Sequence, residues 1–155
     1  MALSASVKSR LQFQHETIHE LLKGFSEDYL KQRIREDKWS VHEQVAHLVT
    51  YQPLFLQRVK TIEKENSPLF ERYVADNDPA FLAACGQPMP VLLNGLQMQR
   101  SEIIEYLLAV PYEILGRTGR HPKYGLLTIT EWTEFFLLHE AHHLFSIFML
   151  TRAGT

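Results

Sequence analysis

At 155 residues the chain is sized for a single domain over 1–155 with one core, and at 45% hydrophobic it is too apolar to stay disordered. A formal net charge of −2 supplies no basic field, so no nucleic-acid partner is expected. No apolar run reaches membrane-spanning length and "MALSASVKSR" has no apolar signal region, so neither a membrane nor a secretion signal is expected. Cys85 is the one cysteine, which excludes an intrachain disulfide and fits a reducing cytoplasm.

Four long helices are predicted and no strand, since no stretch alternates with period two. The first covers roughly 4–25. Val7, Leu11, Ile18, Leu22 and Phe25 recur at three- and four-residue steps, with His15 on the stripe and His19 beside it. A charged connection, "SEDYLKQRIREDK", follows.

Ser40 and Glu43 form S-x-x-E, a capping box that opens the second helix. Its buried face is Val41, Val45, Leu48, Phe55, Val59 and Ile62, and Pro53 is expected to kink it. Residues 64–87 read as a long connection with at most short helical turns. The third helix starts near Pro88 or Pro90, carries Leu92, Leu96, Ile103, Tyr106 and Leu107, and stops before Pro111. Residues 111–127, rich in glycine and proline, read as a loop. Thr128 and Glu131 form a second capping box that opens the last helix near residue 129. Four helices of this length with two long connections predict an all-α four-helix bundle, and the length of those connections allows crossovers.

The last helix contains His139-Glu140-Ala141-His142-His143, literally H-E-x-x-H. His139 and His143 project about 40° apart, one turn above the other, a spacing that lets two imidazoles share one metal ion. Trp132 and Phe136 project into the same sector, so the pair faces the core, where bare imidazoles are costly without partners. His142 points to the side, as a rim or supporting residue. Glu140 is expected to be a solvated helix residue.

The peptidase reading of the motif is weak. Only twelve residues follow His143, Ser146 and Met149 replace the glycine and histidine of the extended motif, and no strand is expected to bind a peptide. A third ligand must come from upstream. His47 lies at the margin of the second helix's apolar face, with Tyr51 and Leu54 on the same side. His15 is its rival, but a hydrogen-bonded core role suits it better. His42 is expected at the solvent, and His121 lies in a loop with no assigned role.

"KWSVHEQVAHL", "HPKYGLLTITEW" and "HEAHHLFSI", in this order, resemble the DinB/YfiT-like family over nearly the whole chain. The resemblance implies a four-helix bundle and a metal site at His47, His139 and His143. It also implies a metal-dependent hydrolase or a thiol-dependent transferase acting on a small molecule. Family members often continue HHxGQ, whereas Leu144, Phe145 and Ser146 stand here.

Three neutral histidines leave a coordination position open. There an ion could lower the pKa of bound water to roughly 7, or could hold a thiolate cofactor. Zinc and nickel both suit imidazole. No general base is assigned, since Tyr51 and Gln52 are near the site in sequence only. The alternative function is a non-catalytic metal-binding or stress-related bundle; a metallopeptidase ranks behind both. Finally, Leu137, Ala141, Leu144, Phe145 and Phe148 form an apolar stripe on the far side of the last helix, which predicts a homodimer. The competing cover is the chain's own 64–87 or 111–127 connection.

Overall fold

A computed structural model describes residues 2–153. Its helices are α1 (Ala5–Phe13), α2 (Thr17–Leu22), α3 (Glu27–Lys31), α4 (Val41–Lys64), α5 (Pro79–Cys85), α6 (Met89–Ala109) and α7 (Ile129–Ala153). Strands β1 (Thr118–His121) and β2 (Gly125–Thr128) lie between α6 and α7. The broken pair α1–α2, with α4, α6 and α7, makes the four-helix bundle. No helix among the described residues is long and apolar enough to cross a membrane.

Both capping boxes form. Ser40 N donates to Glu43 at 2.7 Å and Glu43 N to Ser40 Oγ at 3.1 Å. Thr128 N donates to Glu131 at 2.7 Å and Glu131 N to Thr128 Oγ1 at 3.2 Å. Each box fixes the start of a long helix that carries part of the histidine cluster. Every apolar residue expected on the α4 face is buried. Helix α4 continues through Pro53, whose missing N–H takes a donor from the Val49 carbonyl.

The first helix differs from expectation. It breaks into a 3₁₀ turn at Gln14–Glu16. The guanidinium of Arg100 donates to the Leu11 carbonyl at 3.1 Å and so occupies the acceptor at which the helical ladder stops.

The loop expected at 111–127 also differs, because it contains an antiparallel hairpin pairing Thr118 with Thr128 and His121 with Gly125. Residues 68–70 add backbone bonds to Arg120. Gly125 turns the hairpin at φ +77°. Gly119 lets it sit on the core. A Cβ there would stand 2.7 Å from Ile62 and 2.8 Å from Phe70, while the Gly119 carbonyl accepts the Trp132 indole N–H at 3.3 Å. Gly119→Ala is therefore expected to cost about 1–3 kcal/mol through overpacking, read as a lower urea midpoint. An unchanged midpoint would show that the hairpin gives way freely.

Two of the five residues of the stripe assigned to a dimer, Leu137 and Leu144, are internal. Leu137 packs with Val7 and Leu11 of α1, and Leu144 with Ile18 and Leu22 of α2. Cover thus comes from the first helix of the same chain, joined by Leu115 of the 111–127 connection in the cluster of Leu137 and by Ala75, Phe81 and Ala84 of the 64–87 connection in that of Leu144. Arg10 clamps the arrangement through a bidentate pair with Glu134 at 2.7 and 2.8 Å. Phe145 and Phe148 stay exposed.

Candidate metal centre

Helix α4 brings His47 against the face of α7 that carries His139 and His143. The Nε2 atom of His139 lies 3.1 Å from Nε2 of His47 and 3.1 Å from Nε2 of His143. Ligand atoms of all three lie within 4.8 Å of one another. Metal–imidazole bonds of about 2.0–2.1 Å in a tetrahedral shell place neighbouring nitrogens roughly 3.3 Å apart, so the cluster has the dimensions of a metal site. His143 Nδ1 lies 2.5 Å from Gln44 Oε1. Since that oxygen only accepts, the proton sits on Nδ1 and the Nε2 lone pair points to the centre. The Nδ1 atoms of His47 and His139 are buried and unpaired among the described residues. Three lone pairs converging in a buried place, two of them on rings with an unmet donor, are costly unless a cation compensates them.

Burial is the main cause that lowers all three imidazoles to about 3, with mutual repulsion among the histidines adding to it. They are neutral at pH 7 and available as ligands. In the unfolded chain the same rings titrate near 6.5. Between about 3 and 6.5 the unfolded state therefore binds more protons, and stability falls as pH falls. Urea titrations of metal-free protein should show the unfolding free energy rising with pH up to about 6.5 and then levelling. A flat profile across that window would mean that the rings are not buried as neutral bases.

Aromatic rings form a collar. Tyr51 lies 4.2 Å from His139 between ring centroids, Trp39 5.2 Å from His47, and Tyr73 5.9 Å from His47. A cleft of about 620 Å³ opens onto the three histidines and is walled on one side by the hairpin. Tyr51 thus belongs to the site in space as well as in sequence. Gln52 instead points into the opposite side of α4, where it accepts from Arg100 Nε at 2.8 Å.

The other polar residues sort differently from expectation in two places. Glu140 is 1% exposed and not solvated. It pairs with the fully buried Arg100 and accepts from Gln14 Nε2 at 2.9 Å. The signal for this lay in α6, where Arg100 interrupts the stripe Leu92–Leu96–Ile103–Leu107; a charge there needs a buried partner. His42, expected at the solvent, is 2% exposed because α5 packs over that face of α4. His15 takes its expected core role, bonding Gln97 at 3.0 Å and Arg100 at 3.3 Å, and stays apart from the cluster. His142 is exposed beside His143. His121 lines the cleft, as do Trp39 and Arg58, two residues that no local sequence signal marks.

Known proteins resemble this chain in sequence and in fold. The family model of the DinB superfamily matches residues 10–147. A Bacillus subtilis (strain 168) protein, the uncharacterized YuaE, is 30% identical over 139 residues, covering 79% of this chain and 83% of its own. The structure of YfiT from Bacillus subtilis superposes with a TM-score of 0.82 at 18% identity, covering 96% of this chain and 85% of YfiT. YfiT is described as a probable metal-dependent hydrolase with an unusual four-helix bundle topology. TT2238, described as a four-helix bundle protein, superposes with a TM-score of 0.67 at 19% identity over 92% of this chain and 95% of its own. With its family signature running from α1 into α7, the chain belongs to the DinB superfamily.

Proposed function

We propose that the protein holds one divalent ion, zinc or nickel, on His47, His139 and His143. We further propose that it is a metal-dependent hydrolase or thiol-dependent transferase acting on a small molecule. The observation that carries this reading is the convergence of three neutral imidazoles at the floor of an open cleft. A filled or closed coordination shell would suit a purely structural ion; a cleft reaching the cluster suits a reacting one. When bound, the ion would supply Lewis-acid activation of a nucleophile or polarisation of a substrate oxygen. The chain's own part is to orient the His143 ring through Gln44 and to narrow water access with Trp39, Tyr51 and Tyr73. The probable activity described for YfiT supports the hydrolase branch.

The test is metal analysis of protein purified without a metal-affinity column, followed by assays of ester hydrolysis and thiol transfer before and after chelation. About one ion per chain with chelator-sensitive turnover is the expected result. A stoichiometric ion without turnover in either assay would favour the non-catalytic reading. A peptidase has no support in the geometry, since the Glu140 carboxylate is engaged by Arg100 and Gln14.

A homodimer is also part of the proposal, on a smaller surface than the sequence predicts. Leu138, Phe145 and Met149 stand at helical spacing along α7 and are each more than half exposed. Sedimentation at micromolar concentration should give a dimer, and Phe145→Glu should yield a folded monomer. A wild-type monomer would refute it. The single Cys85, with no disulfide possible within the chain, supports a cytoplasmic location.

A further inference from the structure

The fold buries two arginines in α4 and α6 and treats them differently. Arg100 has a carboxylate partner in Glu140. Arg58, only 7% exposed, has none among the described residues. One of its N–H groups donates to the backbone carbonyl of Glu71 at 3.0 Å. The guanidinium also lies 5.4 Å from the Phe70 ring and 5.6 Å from Trp132. It lines the same cleft as the histidine cluster, three helical turns further along α4. Burying an uncompensated guanidinium is expensive, and a carboxylate supplied by a ligand would repay that cost.

Neighbouring polar groups on the cleft wall are hydrogen-bond donors as well. His121 Nδ1 accepts the backbone N–H groups of Lys123 at 3.0 Å and Tyr124 at 3.2 Å, so the neutral ring carries its proton on Nε2. The Tyr51 hydroxyl has no hydrogen-bond partner among the described residues. Arg72 and Lys123 add exposed positive charge, against the single acidic side chain of Glu71. Between these groups and the histidines the walls are aromatic.

We propose that this cleft binds a small organic carboxylate, with its carboxylate on Arg58 and its reactive end at the histidine cluster. One buried positive charge matches one negative charge, and the planar fork of a guanidinium fits a carboxylate bidentately. The aromatic walls suit an apolar body. The reactive-end part rests on the metal-site reading; the Arg58 part does not.

Calorimetric titration of the full chain near neutral pH with phenylacetate, phenylacetamide and phenyl phosphate tests it, as purified and after chelation. Phenylacetate should bind at least about tenfold more tightly than the neutral amide in both forms. Arg58→Met should abolish that preference, and Arg58→Lys, which keeps the charge but loses the fork, should weaken it. Equal binding of acid and amide, or no binding of any probe, would overturn the proposal without recourse to a variant. So would a preference that survives in folded Arg58→Met or disappears on chelation, since the ion would then be the reader. Tighter binding of phenyl phosphate would overturn the carboxylate assignment in favour of a phosphate ester. Failure of the metal reading appears separately, as absence of a stoichiometric ion with the acid preference intact.

Discussion

His139→Ala is expected to leave a folded protein with almost no bound metal. His139 is central to the cluster, because its Nε2 lies 3.1 Å from the Nε2 of both other rings. Losing a ligand should reduce affinity by more than the 10–100-fold typical of a lost supporting bond. Gln44→Ala supplies that smaller reference, since it removes only the partner of His143 Nδ1. The half-buried ring has one buried, unmet nitrogen, so truncation relieves a cost as well as making a cavity, and the metal-free fold should survive. Competition with a chromogenic chelator would measure the effect. His139→Ala retaining one ion per chain would remove the proposed centre. His15→Ala emptying the site while His47→Ala did not would reassign the third ligand.

Glu140→Ala is expected to be the most destabilising single change outside the apolar core, at about 3–5 kcal/mol, because it strands Arg100 as a buried charge. For a domain of this size that is a fall in Tm of about 10 °C. The same network holds Gln14 of the 3₁₀ turn, Gln52 of α4 and His15, so its loss loosens four elements at once. Replacing both charges, as in Glu140→Leu/Arg100→Met, should recover much of the loss. Metal affinity should persist in any folded Glu140 variant, since the carboxylate faces away from the three imidazoles. Folded, metal-loaded Glu140→Gln protein that loses turnover by the 10²–10⁴ of a missing general base would revive the peptidase-type mechanism.

The long helices were legible in the sequence, because periodic apolar faces and capping boxes are local signals. Val41 through Ile62 on α4, and Thr128 with Glu131 ahead of α7, needed no tertiary knowledge. The sequence also marked His139 and His143 as a pair, since a four-residue step fixes their common direction. The family resemblance joined His47 to them, and the fold brings all three together.

The rest depended on how the elements pack against one another. Whether His42 meets water depends on α5, a short helix in a stretch that reads as connection. Whether Glu140 meets water depends on Arg100, forty residues away. The hairpin is too short for a period-two pattern and owes its position to Gly119 fitting against Ile62 and Phe70. That placement in turn walls one side of the cleft and brings His121 into the space lined by Arg58 and Tyr51 of α4. Periodicity reports which way a side chain leaves its own helix; what it meets there is supplied by another element, and no local pattern encodes that.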